Sequence, residues 1–175
     1  FIDEPKPKFP FLCLTVSGGH TQIVLVKDHL EMEIIGETLD DAAGEAFDKT
    51  AKLLHLPYPG GPLIDKYAQL GNPFAYKFAQ THVDGLNFSF SGIKTSILYF
   101  LQKELKANPD FIDQNLNDIC ASVQHSIISI LIKKIKQAAD ELNINEVAIA
   151  GGVSANSELR KQIKETGEVN NWNVY

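Results

Sequence analysis

The sequence holds 175 residues, with 16 Lys and Arg against 22 Asp and Glu, a net charge of −6, and 44% apolar residues. That length suffices for one domain with a real core, since chains of this size bury about 70% of their unfolded surface. The composition excludes disordered and collagen-like chains, and two cysteines, Cys13 and Cys120, are too few for a disulfide scaffold. Both lie in apolar segments and read as reduced core thiols of a cytoplasmic protein. The acidic balance argues against tight unaided binding of nucleic acid, whose backbone affinity rests on Lys and Arg. The longest nearly uncharged apolar run, Ile127 to Ile132, is broken by Ser129 and is far shorter than the ~20 residues of a membrane helix. No membrane contact is expected.

Residues 1–10, FIDEPKPKFP, carry three prolines and mixed charge and read as an extended linker. They lack an initiator methionine, the sole methionine being Met32, and are read as the interior of a longer protein. Phe11 to Val16 is a buried strand, Gly18-Gly19 turns it, and Thr21 to Val26 alternates as the second strand of a hairpin. Met32 to Gly36 is a third strand. A helix follows from about Ala42 to Leu54, with Asp40 or Asp41 as N-cap and Glu45 near the capping-box position. Leu56 to Pro62 is a proline-rich rigid loop, and Leu63 to Leu70 a short helix. Asn72 to Leu86 is irregular, Asn87 to Phe90 a short strand, and Gly92 to Lys106 a helix. The long periodicity of Ile119, Val123, Ile127, Ile130, Leu131, Ile135 and Ala138 marks an amphipathic helix over Leu116 to Leu142. Val147 to Ala150 is a wholly apolar strand opening onto Gly151-Gly152, Ala155 to Ile163 a helix, and Trp172 to Tyr175 the start of another strand. Hairpin, strand, helices, strand and helix in that order give an α/β domain with a mixed sheet and packed helices.

Two segments carry chemistry. In Val16-Ser17-Gly18-Gly19-His20-Thr21, paired glycines allow close backbone approach, and successive amides with Ser and Thr hydroxyls form an anion-binding nest. The plain alternative is a hairpin turn. In Ala150-Gly151-Gly152-Val153-Ser154-Ala155-Asn156, a strand ends in glycines before a helix, which places a helix N-terminus at the mouth of a pocket. Asn156 either donates to a ligand or caps the helix. The spacing is not the three-glycine dinucleotide fingerprint, and Gly92-Ile93-Lys94-Thr95 is not a P-loop.

The runs VSGGHTQ, GETLDDAAGEAFDKTAKLL, YPGGP, FSFSGIKT and AGGVSAN, in that order from Phe11 to about Arg160, resemble the tRNA threonylcarbamoyladenosine transferase family of TsaD type, also called glycoprotease or O-sialoglycoprotein endopeptidase. The resemblance implies the second lobe of an actin-like ATPase (RNase H-like) fold over residues 11–175. It implies transfer of a threonylcarbamoyl group from threonylcarbamoyl-AMP to N6 of the adenosine 3′ to the anticodon in tRNA. It places ligand contacts at Val16, Ser17, Gly18, Gly19, His20, Asp48, Gly61, Asp65 and Asn156, with Gly151 and Gly152 as the second loop. The nucleotide ligand would be threonylcarbamoyl-AMP, ATP or ADP.

The family also holds a divalent metal, iron or zinc, through an HxxxH pair and a later aspartate. None of His20, His29, His55, His82 or His125 has a histidine four residues away, so the resemblance puts those ligands outside this piece, which is expected to be inactive alone. The partners implied are tRNA, a paralogous subunit, a small ATPase and an adenylate synthase. The competing readings are a metal-dependent glycoprotease, a non-catalytic partner subunit of the same fold, and a small-molecule kinase. No HExxH supports the first. Asp48, Gly61 and Asn156 standing together speak against the second, and ATP-dependent phosphorylation of a small acceptor would mark the third.

Overall fold

The structure is a computed structural model and describes residues 5–175. Residues 1–4 of the expected linker lie outside the described residues, and residues 5–10 carry neither helix nor strand. The elements are β1 Phe11–Val16, β2 Thr21–Asp28, β3 Glu31–Glu37, α1 Ala43–Leu53, α2 Gly60–Ala68, α3 Ser91–Ala107, α4 Phe111–Leu142, β4 Glu146–Ala150, a 3-10 turn Gly152–Ala155, α5 Ser157–Asn170 and β5 Asn173–Val174. One sheet runs in the order β3-β2-β1-β4-β5. The hairpin side is antiparallel, and β1-β4 and β4-β5 are parallel.

Strand periodicity decides which face is covered. Leu12, Leu14, Val16, Ile23 and Val147 are fully buried against the helices. Their neighbours Cys13, Thr15 and Val24 point the other way, and in register with them Met32 is 61% and Ile34 53% exposed. Among the described residues no helix covers that second face. An open groove of about 680 Å³ runs along it past Cys13, Val24, Met32 and Ala148. Both cysteines are free thiols, and burial pushes Cys120 up to about 12.

Several elements depart from the sequence expectation: α5 runs on to Asn170, past the expected end at Ile163, and elsewhere a distant group supplies what the local sequence lacks. Helix α1 is not capped by Asp40 or Asp41. Its N-cap is Ala42, which offers no side-chain acceptor, and the first amides instead donate to the hairpin: Ala43 N–H to Thr21 Oγ1 (2.9 Å) and Gly44 N–H to the Ser17 carbonyl (3.1 Å). Asp41 pairs with Lys49 at 2.6 Å. Helix α2 begins three residues before Leu63 because Asp48 accepts from its first amides, and Pro62 is tolerated in the opening turn, where its missing N–H costs nothing. Helix α4 begins at Phe111, where Phe111 packs on Phe100 and Ile112 is buried. The strand expected over Asn87 to Phe90 is only one bridge, Thr38 to Phe88, although Phe88 and Phe90 are fully buried.

Asp40 fixes that bridge segment to the start of α3. Its carboxylate accepts from the hydroxyls of Ser89 (2.5 Å) and Ser91 (2.7 Å) and from the Phe90 amide (2.8 Å). Burial pushes the carboxyl up, but these donors outweigh it and leave it below its ordinary 3.8. A carboxyl depressed in the folded state stabilises the fold above its unfolded pKa, and that contribution is lost as pH falls through the folded value. Urea unfolding at pH 6 and pH 3 should therefore show the wild-type chain losing stability on acidification. Asp40→Asn should be weaker at pH 6 and lose less between the two. Identical pH dependence in the two proteins would deny Asp40 this role.

Candidate functional site

The two glycine loops, far apart in sequence, meet in one cavity of about 340 Å³ between the β1–β2 turn, α1, α2 and the 3-10 turn. The meeting is set by backbone contact. Gly151 stands at φ 89°, and a Cβ there would run into the Val16 carbonyl. Gly44 is the other close approach: a Cβ would lie 2.6 Å from the Ser17 carbonyl and 2.8 Å from Gly18 Cα. Two helix starts are thereby pressed onto the end of β1.

Of the residues singled out from the sequence, Gly18, Asp48, Gly61, Asp65, Gly152 and Asn156 line the cavity. Val16 is fully buried beneath it. Ser17 closes the turn, its Oγ accepting from the amides of Gly19 (3.3 Å) and His20 (2.9 Å), so two amides expected in an anion nest are already used. His20 is exposed and outside the lining. The Gly18 N–H, by contrast, has no acceptor among the described residues.

The three polar side chains of the lining each hold a helix start. Asp48 Oδ1 accepts from the amides of Gly60 (2.8 Å) and Gly61 (3.3 Å), while Oδ2 has no partner among the described residues. Asp65 is engaged through both oxygens, by Ser157 Oγ (2.6 Å) and Ser157 N–H (3.1 Å). Asn156 caps α5, Oδ1 accepting from Leu159 N–H (3.0 Å), and its Nδ2 donates to Gln124 Oε1 on α4 (2.8 Å). An amide nitrogen carries two protons, so one remains.

The sequence reading missed the apolar wall. Phe47 was legible only as a core residue, and Tyr58, Pro59, Pro62, Val153 and Ala155 complete the lining. No Lys or Arg lines it, and the first amides of α1 and α2 are already taken by Thr21, Ser17 and Asp48, so a donor left for an anion is the Gly18 amide. The arrangement suits a ligand with a flat or apolar body, hydroxyls to meet a carboxylate, and one anionic end.

A mixed sheet with helices on one face and a nucleoside-sized cavity at the carboxyl end of β1 defines a lobe of the actin-like α/β class. The chain superposes on full-length HypF in its phosphate- and nucleotide-bound form with a TM-score of 0.69 at 12% identity, over 95% of this chain and 30% of that one. It superposes on HypF from T. kodakarensis with a TM-score of 0.57 at 19% identity, over 86% of this chain and 18% of that one. At such identities the likeness is one of fold. Residues 1–175 match the family model for tRNA N6-adenosine threonylcarbamoyltransferase, TsaD, and the chain belongs to that family. Relatives of that name are 61% identical over 175 residues in Cytophaga hutchinsonii, 61% over 178 in Christiangramia forsetii and 62% over 178 in Riemerella anatipestifer. All of this chain aligns with 51–52% of each of them, so it spans about half the length of the curated relatives it matches.

The geometry separates two kinds of glycine. Gly44→Ala and Gly151→Ala should each cost at least about 1–3 kcal/mol, through overpacking and, at Gly151, a left-handed backbone. Gly18→Ala, with nothing within 4 Å of the new methyl, should stay within about 0.5 kcal/mol. Chemical denaturation of the three variants decides it, and equal losses at all three would deny the close approach. By the same measurement Asn156→Ala should lose about 1–2 kcal/mol without any ligand, because a helix cap goes and Gln124 is left unpaired.

Proposed function

We propose that this lobe holds threonylcarbamoyl-AMP while the full-length protein transfers its threonylcarbamoyl group to N6 of the adenosine 3′ to the anticodon in tRNA. The observation that carries the reading is the shared cavity, where the two glycine loops of a family member enclose a space of mononucleotide size. The nucleoside lies along the apolar wall, a ribose hydroxyl donates to the free Oδ2 of Asp48, and the phosphate faces the Gly18 amide. Asn156 offers its remaining amide proton. Asp65, both of whose oxygens are engaged by Ser157, acts by fixing α5 against α2.

The chemistry asks for positioning above all. The acyl carbon of a carbamoyl-phosphate anhydride is already activated. When N6 attacks it, the bond to the phosphate oxygen breaks, and negative charge grows on the departing AMP. Amide N–H groups and helix starts fixed in advance stabilise that charge without reorganising. Iron or zinc, which the resemblance assigns to the whole enzyme, would take its ligands elsewhere. Among the described residues no three His, Cys, Asp or Glu side chains stand together as a donor set, so these residues do not fit a metal site.

The tRNA, the paralogous subunit, the small ATPase and the adenylate synthase are partners of the whole enzyme in this reading. The acidic balance of this half, net −6, leaves most of the basic surface for tRNA to the remainder of the enzyme or to its partners. No helix among the described residues is long and apolar enough to cross a membrane, and a cytoplasmic site of action accords with a tRNA substrate.

Gly18 and Gly152 supply the test, because a methyl on either meets nothing within 4 Å and would occupy ligand space. In the full-length protein, Gly18→Ala and Gly152→Ala should each weaken threonylcarbamoyl-AMP binding about tenfold, the scale of a small steric overlap, with unchanged melting temperature. Calorimetric titration checks this, and wild-type affinity in both variants would move the ligand out of the cavity. The 175-residue chain alone, given tRNA, threonine, bicarbonate, ATP and the partner proteins, should form no modified nucleoside.

A further inference from the structure

Tyr58 is the one large aromatic side chain on the cavity lining that the fold leaves open: it is 85% exposed, whereas Phe47 beside it is 1% exposed. Its hydroxyl and ring make no hydrogen bond or ring contact with any described residue. It stands on the short connection between α1 and α2, and both ends of that connection are held. The Leu56 amide donates to the Ala51 carbonyl (2.9 Å), and the Gly60 amide donates to Asp48 (2.8 Å). Gly60 has no room to move inward, because a Cβ there would collide with Ala51 Cβ. The tyrosine is thus an exposed ring on a pinned backbone, at the rim shared by the cavity and a neighbouring groove of about 430 Å³.

Resting on the adenylate reading above, we infer that Tyr58 is the residue that recognises the nucleobase, closing over it as a stacking lid. The wall of the cavity beyond Tyr58 is apolar at Val153 and Ala155, on the 3-10 turn, and no Lys or Arg lines it. A flat heteroaromatic ring entering between that wall and Tyr58 buries two faces and removes the phenol ring from water. Aromatic pairs and base–aromatic stacks favour such offset contact. Asp48 borders the same groove as Tyr58, so a ribose held at Asp48 lies next to the rim, and the base attached to it is the part of the ligand that meets Tyr58. It positions the ligand and touches no reacting atom.

The test uses the full-length protein and AMP as the probe. Tyr58→Phe should bind AMP within about twofold of wild type, and Tyr58→Leu, apolar but not aromatic, about tenfold more weakly. Both should melt at the wild-type temperature, as befits an exposed side chain. In Tyr58→Trp, indole emission should be quenched by AMP and unmoved by ribose 5-phosphate. Wild-type affinity in the leucine variant overturns the stacking role. So does a Trp signal that responds alike to both ligands, or a loss of melting temperature that tracks the loss of affinity. A wild-type protein that binds no AMP overturns the adenylate reading and this inference with it, and is told apart because the failure appears before any substitution.

Discussion

The cavity exists because helix starts are capped by other elements. The first amides of an α-helix have no partner inside it and must find one. Here Thr21 and the Ser17 carbonyl serve α1, Asp48 serves α2, and Asp65 joins Asn156 in serving α5. Asn156 then ties α5 to Gln124 in the middle of α4. Each bond orients one helix by the one before it, and the series runs around the cavity from the hairpin to the longest helix. The polar groups that frame the ligand space are therefore the same groups that fix its shape.

This double use explains which parts of the molecule were legible in the sequence. The strands and the core face of α4 follow from alternation and helical periodicity, because burial writes those patterns locally. Asp48 and Asp65 stood out through motif resemblance, but their capping of distant helices left no local mark. The local pattern accordingly puts the start of α2 at Leu63 and offers Asp40 or Asp41 as the cap of α1, whereas Asp40 holds Ser89 and Ser91. That the two glycine loops serve one ligand is implied by the resemblance and by no local pattern. The glycines that enforce their convergence, Gly44 and Gly151, differ from the exposed pair Gly18 and Gly19 in ways only packing reveals. Tyr58 carried no signal at all beyond lying in YPGGP, since an exposed aromatic has no period.

The family and the fold neighbours bear on different levels. HypF superposes on this chain at identities that speak for architecture only. The relatives align over the whole chain at 61–62% identity, and the family model matches all of it, which sets the family and not only the architecture. What this half provides is a shaped, largely apolar recess edged with amides. A recess of that kind discriminates by shape and hydroxyl placement and draws on charge only at one end.

The sheet face that no helix covers is shielded at one end, where Phe9 packs on Phe11 and His29 and where Phe11 and Val26 are buried, and is open farther along. Val24, Met32 and Ile34 form an apolar strip on a surface otherwise rich in acid, and the acids Glu31, Glu33 and Glu37 lie along the outermost strand. Like charges on that edge discourage strand-to-strand addition at β3. Salts such as sulfate strengthen apolar contact and screen acids together, so they remove the charge protection of that edge and sharpen the apolar character of the strip at once.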